Sequence, residues 1–115
     1  MWLLIIVLNQ EKFLDDLLSV LVELGITDAA IIDSQAMGKA LAYEVPIFAG
    51  LSFQMSGSKS YSKTIIAQVE RKEIGSEIMK MLQDVDIDFL TPGVGRIFIL
   101  KLEEALGTPV DLDLA

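Results

Sequence analysis

The sequence predicts an α+β domain in which two β-α-β units flank a long insert. Three observations carry this. A continuous apolar run, Leu3 to Leu8, is followed at once by apolar residues at helical spacing. The same change of period recurs in the second half, from Thr64–Val69 into Ile74, Ile78, Met81 and Leu82. Between the halves lies a stretch from Ser34 to about Ser62 that matches neither period.

The elements follow in order. Leu3 to Leu8 has strand length and suits burial on both faces. Asn9 is a candidate N-cap. Phe13, Leu17 and Leu21 form one helical stripe, with Leu14, Leu18 and Val22 beside it, while Asp15, Asp16 and Glu23 stay off it. Gly25 suits the position that ends a helix. Ala29 to Ile32 reads as the second strand, closed by Asp33-Ser34. Thr64 to Val69 is the third strand. The helix through Ile74 to Leu82 contains Gly75, a mild defect in a helix interior. Asp84 to Pro92 is a turn-rich connection, and Ile97 to Leu102 is the last strand. Glu103 to Leu106 can form one helical turn, ended by Gly107 and Pro109. Split β-α-β units joined this way give a ferredoxin-like βαββαβ sandwich, an antiparallel sheet with both helices on one face. One sheet face is then bare, and another subunit is its expected cover.

Composition narrows the function. The 115 residues form one domain, 1–115, large enough for a real core. Mean hydropathy is +0.51, high for a chain expected to be cytoplasmic, and it argues for an oligomer. No apolar run reaches the roughly 18 residues of a membrane span, and Trp2 to Leu8 lacks the flanks of a signal peptide. Cysteine and histidine are absent, which excludes disulfides, thiolate or imidazole metal sites and Ser-His-Asp catalysis. The net charge of −8 argues against a broad nucleic-acid-binding face. Asp84, Asp86 and Asp88 alternate like a calcium loop, but the required Gly and closing Glu are missing, so no metal is expected there. The acids of the tail, Glu103, Glu104, Asp111 and Asp113, read as solvated.

The candidate site is Gly93-Val94-Gly95-Arg96, at the entry to the last strand. Glycines allow positive φ and close backbone approach. Successive N–H groups in such a turn can form an anion-binding nest. Arg96 adds a planar fork of donors. The alternative is a tight turn with Arg96 solvated. In the insert, Lys39, Lys59 and Lys63 face one acid, Glu44, which makes a local basic island. Ala36 to Tyr43 can form a short helix that stops before Pro46. Met37, Leu41, Ile47, Phe48, Leu51, Phe53 and Met55 give the insert apolar character; these residues either dock a partner or pack on the bare sheet.

Two segments carry a family resemblance. Glu23 to Lys39, ending in Asp33-Ser34-Gln35-Ala36-Met37-Gly38-Lys39, resembles the stretch of PII nitrogen-regulatory proteins that leads into their long loop. Gly93-Val94-Gly95-Arg96-Ile97-Phe98-Ile99-Leu100 is similar to that family's Gly-Asp-Gly-Lys-Ile-Phe-Val signature, and Glu103-Glu104-Ala105 follows. The resemblance implies a ferredoxin-like homotrimer that senses rather than catalyses. It implies an effector such as ATP, ADP or AMP in clefts between subunits, with no resident cofactor. Gly93, Val94, Gly95 and Arg96 would lie at the phosphates, with Gly38 and Lys39 at the loop base. The loop, with Tyr43, Phe48, Phe53, Lys59 and Tyr61, would dock on a transporter, an enzyme or a regulator. The chain also departs from the pattern. Ala40 stands where nitrogen-sensing members hold a Gln, which weakens the case for 2-oxoglutarate sensing. The Tyr-Arg-Gly-Ala-Glu-Tyr motif is missing, so uridylylation is not predicted. Ala105 to Pro109 replaces the arginines that grip nucleotide phosphates. The other function classes are a structural or adaptor trimer whose cleft is vacant and a small enzyme of ferredoxin-like fold, the weakest, since the sequence shows no nucleophile-base pair and nothing that lowers the pKa of Lys39 or Tyr43.

Overall fold

The computed structural model of the chain describes residues 1–44 and 62–109. In order, these form β1 (Trp2–Leu8), a 3-10 turn (Glu11–Phe13), α1 (Leu14–Glu23), β2 (Ala29–Ser34), α2 (Met37–Glu44), β3 (Ser62–Val69), α3 (Ile74–Gln83) and β4 (Gly95–Lys101). The strands make one sheet in the order β2-β3-β1-β4, with every neighbouring pair antiparallel. This is a compact α+β arrangement, consistent with the ferredoxin-like expectation.

Strand alternation sorts the side chains into two faces. Leu4, Ile6 and Leu8 of β1 and Ile65, Ala67 and Val69 of β3 are buried against the helices. Leu17, Val20 and Leu21 of α1 and Ile74, Ile78 and Leu82 of α3 meet them, and Ile87, Phe89 and Val94 close the core. Val22, expected beside the buried stripe, is exposed, and Val20 takes its place in the core. The opposite sheet face carries Leu3, Ile5, Val7, Ile66, Phe98 and Leu100. Register puts Ile5 between Ile66 and Phe98. No described element covers this face.

Both main helices end with the same device. Gly25 has φ +82°, its N–H donates to Val22 O, and the N–H of Ile26 reaches back to Leu21 O at 2.8 Å. In the second half Asp86 has φ +63°, its N–H donates to Gln83 O, and Ile87 N–H reaches Leu82 O at 2.9 Å. These are paired Schellman closures, in which a left-handed residue lets the next N–H satisfy a carbonyl one turn back. The two halves of the chain are therefore alike in their helix stops as well as in their strands. Asp86, part of the discounted calcium-like alternation, stands where the first half has glycine.

Other sequence expectations need correction. Asn9 does not cap a helix; its N–H donates to Val94 O at 2.9 Å, tying the end of β1 to the turn before β4. Glu103 to Leu106 forms no helical turn. Instead Leu102 N–H donates to Met1 O, and Ala105, Gly107 and Pro109 line a pocket together with Thr27 and Asp28, just before β2. Gly75 is no defect. It is buried, and a Cβ there would sit 3.3 Å from Ile99 Cγ1, so its lack of a side chain lets α3 lie close on β4.

Candidate functional site

The connection into β4 is a chain of local hydrogen bonds. Asp88 Oδ1 accepts from Leu90 N–H at 2.9 Å, and Asp88 O accepts from Thr91 N–H at 3.0 Å. Val94 N–H donates to Thr91 O at 3.3 Å, so it is engaged within the turn rather than offered to a ligand. Gly93 has φ +87° and open space where a Cβ would be. Gly95 does not have positive φ. A Cβ there would lie 2.8 Å from Phe89 Cζ and 2.8 Å from Val7 O. Gly93 therefore serves the turn, and Gly95 lets the distal edge of the Phe89 ring pack close against the start of β4. The expectation that both glycines supply positive φ is corrected for Gly95.

Arg96 sits on the open face of the sheet at the edge strand, with its guanidinium carbon 4.8 Å from the centroid of the Phe98 ring. A guanidinium on a ring face is held in place by the ring quadrupole while its N–H groups stay free to donate. Arg96 also borders a groove of about 440 Å³ along the free edge of β4, walled by Lys72, Ser76 and Met79 on one side and Phe89 and Ile99 on the other. Among the described residues, no carboxylate lies within 4.0 Å of Arg96 or Lys72. Lys72 and Arg96 thus both border this groove, Lys72 from the helix side, while the Arg96 guanidinium lies over Phe98 on the open face; among the described residues neither is paired with a carboxylate, which favours an anion near this edge of an acidic chain. Lys72 was missed in the sequence because it lies 24 positions before Arg96, and only the packing of α3 on β4 joins them.

The root of the insert is built differently. On the open face Ser34 Oγ is 2.8 Å from both Ser62 Oγ and Thr64 Oγ1. On the helix face Lys63 Nζ contacts Asp33 and, at 3.2 Å, Glu11. Hydrogen bonds to Asp33 and then Glu11 hold the Lys63 ammonium above its ordinary pKa. Lys63 was expected to contribute to a basic island facing one acid; that is corrected, because Asp33 and Glu11 neutralise it. Gly38, Lys39 and Tyr43 belong to α2. Phe48, Phe53, Lys59 and Tyr61 lie outside the described residues.

The two parts of the site are not brought together within one chain. β2 and β4 are the opposite edges of the sheet. With three strand spacings between them, the root of the insert and Arg96 are about 14 Å apart. Among the described residues no cluster of carboxylates could hold a metal ion, and no helix is long and apolar enough to cross a membrane. No protein-family model matches this sequence, and no curated protein matches it either.

Proposed function

We propose that this chain is a PII-like regulatory protein. It assembles as a ferredoxin-like homotrimer and binds a small anionic effector between subunits. An adenine nucleotide such as ATP, ADP or AMP is the first candidate. The insert, 34–62, acts on a partner protein, which is a transporter, an enzyme or a regulator. The protein senses; it does not catalyse. The observation that carries this reading is Arg96, a guanidinium with no carboxylate partner among the described residues, at the start of an edge strand and beside a groove that Lys72 also lines. The strand order β2-β3-β1-β4 and an insert between β2 and β3 support it, since both fit the family's layout. The bare apolar face supports the oligomer: each large side chain fully withdrawn from water contributes roughly 1.5–3 kcal/mol.

The test has two steps. Sedimentation should give three times the chain mass. A thermal-shift panel of ATP, ADP, AMP, cyclic di-AMP, bicarbonate and 2-oxoglutarate then selects an effector, and calorimetry compares wild type with Arg96→Ala. Loss of one charge-assisted contact should weaken binding by about 1.5–3 kcal/mol, or roughly ten- to a hundredfold, with the trimer intact. Unchanged affinity in Arg96→Ala would move the effector away from this strand. A specific observation favours the second reading, an adaptor trimer with a vacant cleft. Phe89 accounts for Gly95 and Thr91 accounts for the Val94 N–H, so the turn needs no ligand to explain it.

A further inference from the structure

We propose that the groove between α1 and the end of α3 is a docking surface for a partner protein, and that its occupant is an amphipathic helix whose apolar stripe is flanked by lysine or arginine. The proposal goes beyond the effector reading above and does not depend on it.

The groove has an apolar lining. It encloses about 210 Å³, with Val20 of α1 on one side and Met81 and Val85 on the other. Val85 is 49% exposed, and the helix stop explains why. With Asp86 in the left-handed region, Ile87 turns into the core and its predecessor Val85 is left outside. Val22, one turn beyond Ser19 on the outward stripe of α1, is 48% exposed as well. Both valines offer a partner apolar area to bury.

The rim is acidic and uncompensated. Asp16, Glu23 and Asp84 line the groove, and among the described residues none of them forms an ion pair. From Leu14 to Glu23, α1 carries no basic residue. Lys80 lies in the last turn of α3 but pairs with none of the three acids. Two of these carboxylates stand where the backbone disfavours them. Glu23 and Asp84 each come two residues before the left-handed residue, Gly25 or Asp86, that closes their helix. The C-terminal end of a helix is negative, so it repels a carboxylate and attracts a cation. The two halves of the chain repeat this unfavourable choice, and the packing of α1 on α3 brings both acids to one groove.

Charge and shape together select the occupant. A second copy of this chain would bring the same acids and be repelled, and so would a nucleic acid. A free polyamine would satisfy the carboxylates but leave Val20, Met81 and Val85 uncovered. A helix that seats apolar side chains in the groove and sets lysine or arginine against the rim answers both features. Assembly of copies through the open sheet face would leave the helix layer outward and this surface accessible.

The probe is a labelled synthetic amphipathic helix of lysine and leucine, titrated with the full chain and read by fluorescence anisotropy. A glutamate–leucine helix of the same pattern is the negative control. Two double variants with equal charge change are compared: Glu23→Gln with Asp84→Asn in the groove, and Glu103→Gln with Glu104→Gln in the tail. The groove pair should weaken binding roughly tenfold, and the tail pair should leave it unchanged. Val85→Ser should also weaken binding, with no change of charge. The groove pair should unfold at the same temperature as wild type or higher, because two carboxylates leave helix C-termini. Failure of the lysine–leucine helix to bind overturns the proposal. Equal weakening by both double variants overturns it too, since net charge would then be the cause. Unchanged binding in Val85→Ser, or spermine binding as tightly as the helix, would make this a site for a bare cation. A groove pair that unfolds at lower temperature than wild type would make the acids structural. Either outcome overturns the docking surface.

Discussion

Replacing Gly95 by alanine tests whether this glycine exists for packing or for ligand approach. The new Cβ would lie 2.8 Å from Phe89 Cζ, 2.9 Å from Phe89 Cε2 and 2.8 Å from Val7 O. Neither neighbour yields easily. Phe89 is a core residue, and Val7 belongs to the strand that pairs with β4. Overpacking of this kind costs typically 1–3 kcal/mol, and two opposed contacts put Gly95→Ala near the upper end, about 3 kcal/mol. In a domain of this size that lowers the midpoint of thermal unfolding by on the order of 10 °C. Gly93→Ala is the internal control. It meets no atom within 4 Å and bears only the left-handed backbone cost, about 1–2 kcal/mol. Thermal and urea unfolding at fixed protomer concentration measure both. In a Phe89→Leu background the ring atoms are gone and only the Val7 contact remains, so Gly95→Ala should cost about 1 kcal/mol less there. If Gly95→Ala is no worse than Gly93→Ala, or if the Phe89 cycle is additive, the packing argument fails and ligand approach becomes the better reason for the glycine.

Three further outcomes are expected. Asp86→Gly should stabilise the protein by about 1 kcal/mol in urea unfolding, because a non-glycine at φ +63° is relieved in a motif that favours glycine. Lys63 has its pKa raised above 10.5 in the folded state; its contribution is complete below that pH and is lost as pH rises through the raised value, so Lys63→Met should flatten the alkaline limb of the stability profile. Hydrogen bonds from Arg71, at 2.9 and 2.7 Å, hold Glu77 below 4.5; that contribution is present above 4.5 and lost as pH falls through the lowered value, so Arg71→Met should flatten the acid limb.

The helix through Ile74 to Leu82 was legible because its apolar residues recur at helical spacing, whereas Leu3 to Leu8 has no period and was legible as a strand from its length and from the polar residues that stop it at Asn9. Gly25 was legible as a helix stop for its residue type, whereas Asp86 was not, since aspartate takes the left-handed region only when the rest of the motif requires it. The ion cluster at Lys63 escaped notice because Glu11, Asp33 and Lys63 come from three separate elements. The groove escaped for the same reason, as Lys72 and Arg96 come to line it only through the packing of α3 on β4. Local chemistry can be read along the chain; convergence across the sheet cannot.

The clamp at the root of the insert has a consequence for how this chain can change over time. Ser34 and Ser62 are 28 positions apart in sequence, yet their hydroxyls sit 2.8 Å from each other, and the Lys63 ion cluster secures the same junction from the other side. The closure entropy of a loop grows only logarithmically with its length, so doubling such a loop costs roughly 0.6 kcal/mol. With both ends fixed by the scaffold, a change of length or sequence between Ser34 and Ser62 should cost the sheet and helices little. The insert can drift, or be exchanged by design for a recognition segment of different specificity, while the sheet and both helices remain as they are.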